Sequence, residues 1–229
     1  MFSKLKRKLN QVLLQTKDIH AAALLHQLTA QGNYFPLTGS SLNMHSMATV
    51  VNDIIINRRQ SVIEFGAGFS TLCLARLVRD FGISTTIVSI DDNQQWTQLM
   101  QERLADEDLQ DRVVFVYAPL TECEHSKNRL KWYDMAEINR QTESIPEYDV
   151  VLVDGPMAWD KPRALSRYPA VPFVRSKLAD QYAVYLDDVH RKGEQEIASL
   201  WQAELGATKT KVNSNFVMFH EGDFFNPVV

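Results

Sequence analysis

From residue 61 onward the chain alternates two hydrophobic patterns. Short apolar or β-branched runs lie at 61–65, 85–90, 112–117, 149–153, 182–186, 208–212 and 216–220, and read as strands. Between them, apolar positions recur every three or four residues. Leu72, Leu74, Ala75, Leu77 and Val78 follow Phe69, and similar spacing marks 94–105, 171–178 and 189–205, the last closed by Gly206. Val150, Val151, Leu152 and Val153 form an unbroken apolar run, as in a strand buried on both faces. Ahead of this region, residues 2–30 and 42–57 carry helical spacing. The segment 31–40, with Gly32, Pro36 and Gly39, reads as a loop. The pattern predicts an α/β protein: a mostly parallel sheet with helices on both faces over 59–229, preceded by an N-terminal helical extension over 1–58.

In such sheets ligands bind beyond the carboxyl ends of the strands. The residues there are Glu64 to Gly68, Asp91 and Asp92, Tyr117 and Ala118, Asp154-Gly155-Pro156, and Asp187 with Asp188. Acids at these places can also cap the next helix, which would suit Asp188 well, Asp91 in part and Asp154 poorly, since Gly155-Pro156 opens a loop. The turn Glu64-Phe-Gly-Ala-Gly-Phe-Ser-Thr joins a strand to a helix start. Two glycines there either let a ligand lie on bare backbone at outward-pointing amides or simply allow tight packing. Asp91 can accept hydrogen bonds from both hydroxyls of a ribose. Thr71 stands where a dinucleotide fingerprint wants a third glycine, and no Gly-Lys-Ser/Thr ending exists. A ligand with a ribose and no phosphates fits this set.

Taken together, Glu64-Phe-Gly-Ala-Gly-Phe-Ser-Thr, Val88-Ser-Ile-Asp-Asp, Tyr148-Asp-Val-Val-Leu-Val-Asp-Gly-Pro and Tyr185-Leu-Asp-Asp-Val-His-Arg resemble the class I S-adenosylmethionine-dependent methyltransferases, over about residues 59 to 220. The resemblance implies a Rossmann-like seven-stranded sheet with an antiparallel last strand. It places Glu64, Gly66, Ala67, Gly68 and Ser70 by the methionine end of S-adenosyl-L-methionine, Asp91 and Asp92 by the ribose, and Tyr117 and Ala118 by the adenine, with Asp154 also at the cofactor. Trp96 could pack on the adenine edge or belong to the core. The Tyr117-Ala118-Pro119 sequence departs from the acid or amide that many members carry after the third strand.

A narrower resemblance is to catechol O-methyltransferase-like enzymes. It implies Mg2+ held by Asp154, Asp187 and Asp188, a donor set that suits a hard divalent ion. In the alternative, metal-free arrangement Asp154 contacts cofactor or substrate and Asp188 caps a helix. Met157 stands where the catechol-type lysine base would be. The base candidates are then His190, Asp154 and His45, with Asp188 in the same catalytic group. Arg163, Arg167 and Arg191 sit at the expected pocket mouth. They either favour an anionic substrate (phosphate, carboxylate or acidic sugar) or pair with acids such as Asp160 and Glu194.

The activity implied is methyl transfer to a hydroxyl of a small-molecule or glycan acceptor, with residues 31–49 and 119–146, the latter holding Arg129, Trp132 and Tyr133, as lids. Three rivals are weighed against it. An aminopropyl transferase would want a more glycine-rich first turn. A nucleic-acid methyltransferase would want an Asn/Asp-Pro-Pro-Tyr loop in place of Asp154-Gly-Pro-Met. A non-catalytic cofactor-binding or scaffold protein would bind without turnover.

Bulk properties narrow the setting. The chain has 229 residues and a net charge of −4, which disfavours whole-surface attraction to nucleic acid. Cys73 and Cys123 have no paired or metal-ligand spacing, which suits a reducing cytoplasm. No apolar run is long enough to span a bilayer. The N-terminus is basic through Lys4, Lys6, Arg7 and Lys8, and Leu5, Leu9, Val12 and Leu13 recur at helical spacing. Such a helix packs on the domain or on a second copy in a homodimer, or else meets an anionic partner or membrane surface.

Overall fold

The computed structural model describes residues 2–30 and 32–229, and the side chains of 2–8, 10 and 11 lie outside the described residues. The basic cluster Lys4, Lys6, Arg7 and Lys8 therefore lies outside it as well. Helices α1 (Phe2–Leu24), α2 (His26–Thr29) and α3 (Met44–Ile56) come first. Then follow β1 (Ser61–Phe65), α4 (Phe69–Phe81), β2 (Thr86–Asp91), α5 (Gln94–Ala105) and β3 (Val113–Tyr117). A small hairpin, β4 (Leu120–Glu122) with β5 (Lys131–Tyr133), leads to α6 (Met135–Gln141). The chain closes with β6 (Tyr148–Val153), α7 (Ala170–Val174), β7 (Leu178–Leu186), α8 (Lys192–Leu205), β8 (Thr208–Lys211) and β9 (Val217–Glu221).

The main sheet has seven strands in the order β3-β2-β1-β6-β7-β9-β8. Its first five members are parallel, and β9 runs antiparallel between β7 and β8. Strand alternation splits the core into two layers. Val62, Ile87, Val150, Leu152 and Tyr185 face α3, α4 and α5. Ile63, Phe65, Val88, Val151, Val153 and Leu186 face α7 and α8. The N-terminal extension shares the first layer through Ala21, Leu25, Leu28 and Leu42. Strand order reverses between β1 and β6, so the crevice opens beyond their carboxyl ends.

Three differences from the sequence pattern have physical causes. The helix expected over 171–178 is a short α7 and a 3-10 turn (Arg175–Lys177), because Leu178 already pairs with Tyr148 and opens a nine-residue β7. The helix expected from 189 begins at Lys192, since Asp188 takes φ +63° and turns the chain first. The segment 119–146, expected to be a loop, contains β4, β5 and α6, the last capped by Asp134, which accepts the amides of Ala136 and Glu137.

Buried ion pairs fasten the extension. Arg76 on α4 pairs with Glu107 at 2.6 Å and donates to the carbonyls of Leu28 and Asn33. Glu107 accepts the Asn33 amide at 3.0 Å, which holds the segment carrying Phe35 above the β1 turn.

Candidate active site

The crevice holds a cavity of about 460 Å³, within the roughly 300–1,000 Å³ of small-molecule sites. One wall is the turn between β1 and α4. Gly66 has φ +102°, and a Cβ there would come within 3.0 Å of the Gly155 amide nitrogen, so this glycine serves close approach of two chain segments. Gly68 differs: a Cβ there would meet nothing within 4 Å, because its backbone faces the cavity. Ala67, Phe69 and Ser70 line the same wall.

Glu64 does not line the cavity. It is fully buried and accepts hydrogen bonds from the hydroxyls of Ser70, Thr71 and Ser89, tying the first turn of α4 to β2. Burial outweighs those three bonds and pushes its carboxyl up to about 7. Its place is behind the turn, as a brace.

Asp91 and Asp92 line the cavity beyond β2. Asp91 accepts the amides of Ala67 at 3.1 Å and Asn93 at 2.8 Å, and burial raises its carboxyl to about 6. A carboxylate has about four acceptor positions, so two remain for a ligand. Trp96 donates its indole N–H to the Ala67 carbonyl at 2.7 Å and meets Phe35 edge-on at 6.2 Å. It lines the cavity and also packs against the core. Tyr117 and Ala118 do not line the cavity. Ala118 is fully buried in the second core layer, because Pro119 and the β4–β5 hairpin fold over this strand end.

The opposite wall comes from the ends of β6 and β7. Asp154 lines the cavity, and burial raises its carboxyl to about 6 against the lowering influence of Arg167. Asp188 lines it too, but caps no helix: the α8 N-cap is Arg191 and has no side-chain cap bond. Asp188 pairs instead with Arg167 at 3.1 Å and Arg191 at 2.8 Å. Asp187 is buried below, with Oδ1 unpartnered, and burial beside Asp154 and Asp188 pushes its carboxyl well up. Arg167 and Tyr133 line the cavity as well, and the Tyr133 hydroxyl is buried without a partner against Gly155.

The remaining sequence candidates lie elsewhere. His190 is half exposed, 3.9 Å from Asp188 and outside the cavity lining. His45 is fully buried in α3, where it contacts the Val229 carbonyl at 2.7 Å and Asn213 at 3.1 Å, with no access to the cavity. Arg163 pairs with Asp160 and stacks on Trp159, so of the three arginines expected at the pocket mouth Arg167 and Arg191 line the cavity and Arg163 does not.

One oxygen each from Asp154, Asp187 and Asp188 lie within 4.8 Å of one another, and the orphaned Asp187 oxygen would welcome a cation. Arg167 opposes it. Its guanidinium touches Asp154 Oδ1 at 3.2 Å, Asp188 Oδ2 at 3.1 Å, and the carbonyls of Asp154, Pro156 and Asp187 at 2.6, 3.2 and 3.4 Å. Four hydrogen bonds and the ion-pair contact with Asp154 Oδ1 engage all three of its nitrogens. Metal–oxygen bonds of about 2 Å would leave a divalent ion roughly 5 Å from this charge. Arg167 and Arg191 already occupy the Asp154 and Asp188 oxygens that such an ion would need, and the Arg167 charge would oppose it. The residues present do not fit a magnesium ion.

Comparison with solved structures bears on the fold. The chain is similar to an O-methyltransferase from Bacillus cereus in complex with SAH, at TM-score 0.56 and 14% identity, over 94% of this chain and 97% of that one. It is similar to a putative caffeoyl-CoA O-methyltransferase from Staphylococcus aureus, at TM-score 0.58 and 14% identity, over 96% and 98%. TomG from Streptomyces achromogenes, in complex with SAM, matches at TM-score 0.55 and 14% identity, over 91% and 90%. The chain has a methyltransferase fold. No family model and no curated protein matches it. Sequence reasoning missed Phe35 and Leu42 of the cavity lining and gave Arg167 no role inside the aspartate cluster. Phe35 and Leu42 had a signal only as members of the 31–49 segment expected as a lid, and Arg167 as one of three arginines after a strand end.

Proposed function

We propose that this methyltransferase-fold protein moves the methyl group of S-adenosyl-L-methionine to a hydroxyl of a small acceptor. The observation that carries the reading is the placement of open backbone at Gly68 and a half-free Asp91 carboxylate on one wall of a single cavity, with Asp154 on the other. Similar structures include O-methyltransferases with SAM or SAH bound, which supports the same reading.

When bound, the cofactor supplies an activated methyl group on a sulfonium. The chain's own residues do the rest. The Gly66 to Ser70 turn offers backbone to the methionine end, Asp91 with Asp92 accepts the ribose hydroxyls, and Trp96 with Phe35 walls the adenine. Residues 32–42 cover the cavity as part of an extension that we read as a lid over the 59–229 domain. Holding donor and acceptor in contact and excluding water accounts for much of the acceleration.

Asp154 is the base: it lines the cavity, and its carboxyl near 6 suits proton transfer at neutral pH. Protonated, it cannot accept the acceptor's hydroxyl proton, so kcat/KM climbs as pH rises through about 6. Asp154→Asn removes that limb, and a limb that survives the substitution rules Asp154 out. Arg191, paired to Asp188 yet partly exposed, has donors left for an acidic acceptor such as a carboxylate or an acidic sugar. The exposed apolar residues Leu9, Val12, Leu13 and Ile19 of α1 support a homodimer, which light scattering would weigh.

The deciding experiment is calorimetry with the demethylated product, followed by turnover of labelled cofactor against hydroxylated acceptors. Micromolar binding with turnover supports the reading. Binding without turnover on any acceptor would favour a cofactor-binding protein, and no binding would sink both.

A further inference from the structure

We infer that Arg167 is the built-in cation of the three-aspartate cluster, occupying the charge-balancing role of a divalent ion and making the cavity metal-independent. The placement argues for this in three ways. First, Arg167 lies between the ends of β6 and β7, and bridges side-chain oxygens of Asp154 and Asp188, two of the three would-be ligands. Second, its other donors are spent on the backbone carbonyls of Asp154, Pro156 and Asp187, so it is only 4% exposed and cannot swing aside without stranding all of them. Third, Arg191 adds a second guanidinium on Asp188. Asp154 and Asp188, the two acids in contact with guanidinium groups, face two arginines and are charge-balanced without a divalent ion.

Arg167 is thus a positioning residue. It sets the Asp154 carboxylate at the cavity wall and fixes the left-handed turn at Asp188. The segment that carries it, after the Gly155-Pro156 turn, supplies the charge that a diffusible ion would otherwise bring. The inference concerns charge balance and does not depend on which cofactor the cavity takes.

The test is a titration of the full chain with Mn2+ alone, read by electron paramagnetic resonance of free ion, beside calorimetry with the demethylated cofactor product. Wild-type protein should bind no stoichiometric Mn2+ up to millimolar concentration. Arg167→Ala should gain one site at least tenfold tighter than anything in wild type, lost again when Asp187→Asn is added. Arg167→Lys, which keeps the charge, should not gain it. Tight Mn2+ binding by wild type that Asp187→Asn abolishes would overturn the proposal, as would a folded Arg167→Ala protein with no new site. If Arg167→Ala does not fold, the wild-type titration and Arg167→Lys still decide. Failure of product binding in metal-free wild type strikes the cofactor reading and leaves this one standing.

Discussion

The two walls of the cavity hold their carboxylates by opposite means. On the β1–β2 wall, Asp91 is steadied by backbone amides of Ala67 and Asn93, with no arginine or lysine among the described residues paired to it. On the β6–β7 wall, Asp154 and Asp188 are clamped by Arg167 and Arg191. Amide donors leave the acid's charge available to a neutral, hydroxyl-bearing ligand. Guanidinium partners consume that charge and trade availability for fixed geometry. The first wall is built to receive, and the second to hold still.

Removing Arg167 should give the largest effect. Arg167→Ala leaves Asp154 and three carbonyls without their donor, with Arg191 alone still on Asp188, and breaking a buried pair of this kind costs about 3–5 kcal/mol. Urea unfolding checks it, and a loss under about 1 kcal/mol would mean that the clamp is not structural.

Next comes Glu64, the brace behind the first wall. Its carboxyl lies near 7 in the fold against 4.5 as the ordinary value. A raised acid stabilises the fold fully below about 4.5, and that contribution fades as pH rises through about 7. Relative to Glu64→Gln, wild type should therefore lose about 3 kcal/mol between pH 4 and pH 8. A pH-independent difference between the two proteins would contradict the burial argument.

Asp91→Ala follows: it should weaken binding of the demethylated product by about 1–3 kcal/mol with little change in unfolding. Unchanged affinity by calorimetry would free Asp91 from the ribose role. Smallest of all, Arg163→Ala should alter neither stability nor product affinity measurably, because its pair with Asp160 is exposed. A clear loss of affinity would move the acceptor outward toward Trp159.

The same contrast governs what was legible in the chain. The first wall is nearly contiguous: the glycine turn and the acid ending β2 are local signals, and both line the cavity. The strand pattern likewise foretold a mostly parallel sheet, because Val62 and Ile63 in β1 and the run Val150 to Val153 in β6 are apolar enough for strands buried on both faces. The second wall depends on folding back. Nothing local tells that Arg167 reaches Asp154 and Asp188 while Arg163 turns to Asp160 in its own turn. Glu64 and Ala118 lie off the cavity lining for a related reason. A strand-end position sets depth in the sheet, but the packing of α4 and of the β4–β5 hairpin decides which side faces the ligand. Trp96 and Phe35 needed both helix packing and the docking of an N-terminal segment held by Arg76.

The backbone contact between Gly66 and Gly155 has a consequence for how this protein would tolerate change. Those two residues join the walls directly, so in a saturation library scored for soluble expression both positions should reject every replacement. Gly68, bordered by empty space, should accept alanine or serine in that screen and fail only when variants are sorted for ligand capture.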